Sequence, residues 1–139
     1  MRRRTTVLIL LLILALLLAG CGTKGEAPSP GATFDKEEVT ARAEQVVAWV
    51  VEDNFTAVVE TVRGDLQETL SEDALKDAVD TTLADAGTFV EIDATTVTEQ
   101  EADGNTYAVA VIIAKYENRD VQYTLSFDEN MALIGFYIK

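Results

Sequence analysis

Gly87-Thr-Phe-Val-Glu-Ile-Asp-Ala-Thr-Thr-Val-Thr98 is the stretch where the chain changes its period. Before it, apolar residues recur every three or four positions. From Gly87 onward they alternate, and valine, isoleucine, threonine and aromatic residues take over. The first pattern buries one stripe of a helix and the second one face of a strand. The chain therefore reads as helices first and a sheet after them, an α+β fold.

Working forward from Gly87, strands are expected at Thr88–Thr98, Thr106–Tyr116, Asp120–Phe127 and Met131–Ile138. The turns between them fall at Ala102-Asp-Gly-Asn105, Glu117-Asn-Arg119 and Asp128-Glu-Asn130. Connections this short make an antiparallel meander. In the third strand Val121, Tyr123, Leu125 and Phe127 alternate with Gln122, Thr124, Ser126 and Asp128, as a half-buried strand should. The second is apolar on both sides, with Val109, Val111 and Ile113 opposing Ala108, Ala110, Ile112 and Ala114. Its outer face needs a cover, either a second copy of the domain or a helix and its own loops. The fourth strand sets Leu133 and Tyr137 against Ile134, Phe136 and Ile138.

Working backward, three helices are expected. Asp35 stands three residues before Glu38 in a capping-box spacing, and Phe34 and Val39 form a hydrophobic staple. Val39, Ala43, Val46, Val47 and Val50 make the buried stripe, with Trp49 at its edge. Asn54 caps a second helix through Phe55, Val58, Val59 and Val62, which Gly64 interrupts. Ser71 caps a third. There Leu70 and Leu75 staple, Leu75, Ala78, Val79, Leu83 and Ala86 face the core, and Gly87 closes the helix.

The chain divides into 1–20, 21–33 and 34–139. Arg2, Arg3 and Arg4 precede an unbroken apolar run from Val7 to Leu18, the layout of an export signal. A helix over that run covers only ~20 Å, short of the ~30 Å core of a bilayer. Gly22–Thr33 is small, polar and proline-broken, a linker. Phe34–Lys139 is long enough for one domain with one core.

Leu18-Ala-Gly-Cys21 resembles the lipobox of bacterial lipoproteins. That resemblance implies cleavage before Cys21, a diacylglyceryl group on its thiol, and an extracytoplasmic domain held to the cell membrane. Two acyl chains anchor stably where one binds only marginally. Cys21 is also the only cysteine.

Loss of the three leader arginines leaves eight basic residues against all 24 acidic ones, a formal charge of −16. Nucleic acid is excluded as a partner on this ground, and anionic lipid is repelled, so the domain stands off the bilayer. With no histidine and no second cysteine, the usual zinc, copper and iron–sulfur ligand sets are absent, and no metal or other cofactor is expected.

The order of elements resembles the cystatin-like cone of the nuclear transport factor 2-like superfamily, in which N-terminal helices pack on a curved four-stranded antiparallel sheet. Gly87-Thr-Phe-Val-Glu-Ile92, Ala114-Lys-Tyr-Glu-Asn118, Tyr123-Thr-Leu-Ser-Phe-Asp128 and Leu133-Ile-Gly-Phe-Tyr-Ile138 resemble a bacterial family of exported domains of unknown function. Its members are often lipoproteins, and some carry an α/β-hydrolase after this domain. None is expected here, where the sequence closes at Lys139. The short strand usual between the second and third helices is not evident.

The resemblance to steroid isomerases of the superfamily raises acid–base catalysis in the cone, drawing on Tyr107, Tyr116 or Tyr123 with Asp85 or Asp93. Asp93 shares its strand face with Glu91 and Thr95, opposite Val90, Ile92 and Ala94, and so points to solvent, out of reach of a substrate. Ser71 and Ser126 have no histidine to activate them. Glu99-Gln-Glu-Ala-Asp-Gly-Asn105 lacks the register of a calcium loop. Arg63-Gly-Asp65 and Asn54-Phe-Thr56 read as a helix break and a cap.

The expectation is a membrane-tethered, non-catalytic domain that binds a small molecule or a protein. Trp49, Phe55, Phe89, Tyr123 and Phe136 are the candidate pocket at the open end of the cone. An envelope structural or assembly protein acting through the apolar sheet face is the first alternative, and a small acid–base enzyme the second. Ordinary core packing is the simpler role for each of the five aromatics.

Overall fold

A computed structural model describes residues 33–139. The expected signal, Cys21 and nearly all of the linker lie outside the described residues. Among the described residues no helix is long and apolar enough to cross a membrane.

Three helices come first: α1 (Lys36–Val51), α2 (Phe55–Thr61) and α3 (Glu72–Leu83), with a single 3-10 turn at Gly64–Leu66. Each N-cap falls where the sequence places it. The Asp35 side chain accepts from the backbone N–H groups of Glu37 and Glu38, that of Asn54 from Ala57, and that of Ser71 from Ala74. These bonds satisfy donors that a helix leaves open at its start.

Four strands follow, β1 (Phe89–Ala102), β2 (Asn105–Tyr116), β3 (Asp120–Phe127) and β4 (Leu133–Ile138), in one antiparallel sheet of order β1-β2-β3-β4. The β1–β2 turn has Asp103 at φ 52° and Gly104 at φ 77°. Two left-handed residues in succession are what a two-residue hairpin turn requires to match the strand twist. Both strands consequently run further toward this turn than their apolar residues alone suggest.

All three helices lie on one face of the sheet. Val39, Ala43, Val46, Val47, Phe55, Val58, Leu75 and Val79 share a single core cluster with Ala110, Ile112 and Ala114 of β2 and with Val121, Tyr123, Leu125 and Phe127 of β3. The alanines on β2 are the counterpart of the helices above them, since small side chains let a helix come close to the sheet. Ala78 departs from its expected place in the stripe: it is exposed, and buried Leu75 and Val79 carry α3 into the core with half-buried Leu83 packed against it. Val62 likewise leaves the helix. Its backbone is extended and forms an isolated parallel bridge with Leu133, supported by the Arg63 N–H donating to the Leu133 carbonyl at 3.0 Å.

Two irregularities in β1 and one at β4 re-aim side chains that strict alternation places elsewhere. The register slips between Phe89 and Glu91 and again between Ile92 and Ala94. An extra residue in one strand turns every residue beyond it to the other face. Thr95 is therefore on the helix side, donating to Glu44 of α1 at 2.7 Å, while Glu91 and Asp93 stay together on the opposite side. A third slip, between Ser126 and Phe127, puts Leu133 on the same face as Phe136 and Ile138 and leaves Gly135 and Tyr137 outward.

The helix-to-sheet junction is held by the β2–β3 hairpin. Gly87 adopts φ +78°, and a β-carbon there would lie 2.9 Å from Glu117 Oε2 and 3.1 Å from Asn118 Nδ2. The Thr88 N–H donates to Glu117 Oε2 at 2.8 Å, which holds the Glu117 carboxyl below the usual glutamate range. Asn118 Nδ2 donates to the Asp85 carbonyl at 3.0 Å, and Arg119 pairs with the Asp85 carboxylate at 3.0 Å and reaches the Thr82 carbonyl. Side-chain donors thus serve carbonyls that the end of α3 leaves open.

Candidate functional site

The sequence points to two places, the aromatic cluster on the helix side and the apolar outer side of β2, and the fold treats them differently. On the helix side four aromatics cross the sheet in a row. Phe89 meets Tyr116 edge-on at 5.6 Å between ring centres, and Tyr123 meets Phe136 edge-on at 6.3 Å. Between the two pairs, the hydroxyls of Tyr116 and Tyr123 lie 2.7 Å apart.

Tyr123 is 0 % exposed and Tyr116 8 %. Burial is the main reason both phenols are held above the ordinary tyrosine range, because the phenolate is lost from water with no cation to meet it. The pair is neutral at any physiological pH. One hydroxyl donates to the other, so a single O–H remains without an acceptor among the described residues. Apart from these tyrosines, no polar side chain among the described residues is buried.

Three of the five expected pocket residues, Phe89, Tyr123 and Phe136, thus come together through Tyr116. Trp49 and Phe55 do not join them. Trp49 packs half-buried against the core from α1, and buried Phe55 has the Lys76 ammonium 5.6 Å from its ring centre.

Of the carboxylates weighed for catalysis, Asp85 is committed to Arg119, and Asp93 lies 2.6 Å from Lys115 Nζ. Lys115 is raised above its ordinary value, by Asp93 first and Glu91 second. Tyr107 reaches Gln100 at 3.5 Å on the outer side. Glu99, from the acidic run, accepts from the Phe34 N–H at 2.8 Å and ties the start of α1 to the sheet. Arg63 and Asp65 pair with each other, Nε to Oδ1 at 2.6 Å, so the tripeptide closes on itself.

The outer side of the sheet carries Ala94, Thr96, Thr98 and Gln100 from β1, Val109, Val111 and Ile113 from β2, Gln122, Thr124 and Ser126 from β3, and Gly135 and Tyr137 from β4. Val109 is only 8 % exposed yet stands outside the core cluster, which marks its side as distinct from that of Ala108 and Ala110. Tyr137 is 60 % exposed. Thr96, Val111, Thr124 and Tyr137 are successive register partners, one row across all four strands.

Among the described residues the one charged side chain that enters this field is Lys139, which pairs with Gln122 at its edge. Further charges gather beyond it at the same end of the strands, with Glu91, Asp93, Lys115 and Asp120. On a chain with 24 acidic and 11 basic residues, an uncharged centre to the sheet face is a local departure from the composition. Charge depletion at the centre with polar or charged residues at the edge is the anatomy of a protein interface.

The comparisons with known proteins agree with this architecture. Residues 43–136 match the family described as Protein of unknown function (DUF3887). The chain belongs to that family. The match runs from the middle of α1 into β4 and so takes in the aromatic row and all of the outer-face row but Tyr137. An NMR structure of a protein from Ruminococcus gnavus ATCC 29149 is similar at 30 % identity and a TM-score of 0.68, over 78 % of this chain and 94 % of that one. No curated protein matches.

Proposed function

We propose that this DUF3887 chain is an exported lipoprotein, anchored through a diacylglyceryl group on Cys21, whose domain is a non-catalytic interaction module working through the outer face of its sheet. The anchor is supported by the Leu18-Ala-Gly-Cys21 sequence behind a short apolar run. The interaction face is supported by one observation above the others: the row Thr96, Val111, Thr124 and Tyr137 at its centre carries no charge on a strongly acidic chain. The likeness to the cystatin-like cone is supported by the element order and by the Val62–Leu133 bridge, which stands between α2 and α3 where such cones carry a short strand.

Two measurements test this reading. Cys21→Ser is expected to abolish incorporation of labelled fatty acid and to release the chain from membranes; retention of either contradicts the anchor. Thr124→Lys in the full chain is expected to leave its melting temperature within about 3 °C of the parent, since surface changes cost little, while removing any larger assembly seen on sedimentation. An unchanged assembly contradicts the face.

A second reading has one observation in its favour, the unshared O–H of the Tyr116–Tyr123 pair. It is a hydrogen-bond donor for an acceptor atom of an apolar ligand held between Phe89 and Phe136. A ligand found by thermal-shift screening of the full chain, with its shift abolished in the Tyr116→Phe, Tyr123→Phe double variant, is the outcome this reading expects.

A further inference from the structure

We propose that the occupant of the outer sheet face is a second copy of this chain, related to the first by a two-fold axis that runs along the strands between β2 and β3. The inference rests on the outer face being the interaction surface and names its partner.

Charge selects the partner. Two copies of an acidic chain repel in most orientations, and in a two-fold contact each patch meets itself. The surface on which identical acidic molecules meet without opposing like charges is one with none at its centre, and the described outer field, charged only at its edge, is such a surface. A different, basic partner would be drawn instead to the acidic helices, where α3 alone carries Glu72, Asp73, Asp77 and Asp80.

The register fixes the contact. An axis along the strands between β2 and β3 sets β2 of one copy over β3 of the other and β1 over β4. Within the row Thr96, Val111, Thr124 and Tyr137, Val111 of each copy then faces Thr124 of the other, and exposed Tyr137 comes down on Thr96. Aligned sheets pack in this manner about 10 Å apart. Four strands spaced by about 4.8 Å, each contributing about seven residues of 3.3 Å, give a flat footprint of about 19 by 23 Å before side-chain relief. That belongs to the smaller class of specific interface, so association gains from confinement on one membrane, which raises the effective concentration of the partners.

The tether favours this axis over the other in-plane one. The Phe34 N–H bonded to Glu99 puts the start of the domain at the β1–β2 hairpin end of the sheet. Rotation about an axis along the strands keeps both starts at that end, where both reach one membrane. An axis across the strands would send them to opposite ends.

The test uses the full chain in its own cells with a photo-crosslinking benzoyl-phenylalanine replacing Val111. A product of twice the chain mass is expected, and the same replacement at exposed Ala78 of α3 is expected to give none. A Val111 product with a different protein overturns the second copy and leaves the outer-face reading standing; no product at Val111 overturns both. As a second measure, Val111→Glu and Val111→Lys chains should each self-associate at least tenfold more weakly than the parent, and mixing them should restore a dimer containing one of each. Failure to restore it in folded chains contradicts the inference.

Discussion

The Tyr116 and Tyr123 hydroxyls, 2.7 Å apart, form one hydrogen bond between neighbouring strands in a core that is otherwise apolar among the described residues. Removing either partner leaves the other hydroxyl without it. Tyr116→Phe strands the fully buried Tyr123 hydroxyl and is expected to cost about 1–3 kcal/mol in urea unfolding. Tyr123→Phe should cost less, because the Tyr116 hydroxyl lies nearer solvent. The double phenylalanine variant should recover part of the loss, which a double-mutant cycle reads directly.

The same pair gives a pH dependence with a definite sign. Both phenols are raised in the folded chain, chiefly by burial, whereas in the unfolded chain they titrate near the ordinary value of about 10. The folded state therefore holds their protons longer. Their contribution is fully present below the unfolded value and falls as pH rises through and above it. Equilibrium unfolding between pH 8 and about 11 should show parent stability dropping at the alkaline end, with a smaller drop when both tyrosines are phenylalanine.

Three glycines separate conformational from steric demands. Gly87 needs both a left-handed backbone and the space filled by Glu117 and Asn118, so Gly87→Ala is expected to cost about 2 kcal/mol or more. Gly104 has φ +77° but open surroundings, and Gly104→Ala should cost about 1 kcal/mol. Gly64 has neither constraint, and Gly64→Ala should be neutral or stabilising by up to about 1 kcal/mol. Denaturant midpoints in that order check the assignment; equal losses at Gly87 and Gly64 contradict it.

The Asp85–Arg119 pair should show an unequal split. Asp85 is largely exposed, so Asp85→Ala removes a screened ion pair and is expected to cost under about 0.5 kcal/mol. Arg119→Ala also frees the Thr82 carbonyl near the end of α3 and should cost about 1 kcal/mol. Thermal melts of the two variants distinguish them.

The helices, their caps and the strand order were legible because each rests on local chemistry: Asp35, Asn54 and Ser71 accept from the N–H groups that their spacing predicts. What escaped depends on pairing between distant segments. Nothing in Glu91-Ile-Asp-Ala-Thr95 announces that an extra residue is accommodated there, yet that slip sends Thr95 to Glu44 and keeps Asp93 beside Lys115. The slip opposite Phe127 similarly moves Leu133 to the core face. Ala78 fits the helical period but finds no sheet beneath it.

For the site, the double apolarity of β2 was plain in the sequence. Its uncharged continuation into Thr96, Thr124 and Tyr137 emerges only once the register sets them in one row. Tyr116, which the sequence offers only as a catalytic candidate, joins Phe89 to Tyr123, a contact that depends on side chains of two strands meeting within the core.

The central claim is that one face of β2 is core and the other is a binding surface, and adjacent residues of that strand put it to the test. Full chains carrying Val111→Glu or Ile112→Glu are compared by circular dichroism and sedimentation velocity. The account predicts that Val111→Glu keeps the parent spectrum and melting behaviour but loses the dimer, while Ile112→Glu, with a carboxylate buried at a fully enclosed position, loses the fold. A Val111→Glu chain that unfolds like Ile112→Glu, or that stays folded and dimeric, would contradict it.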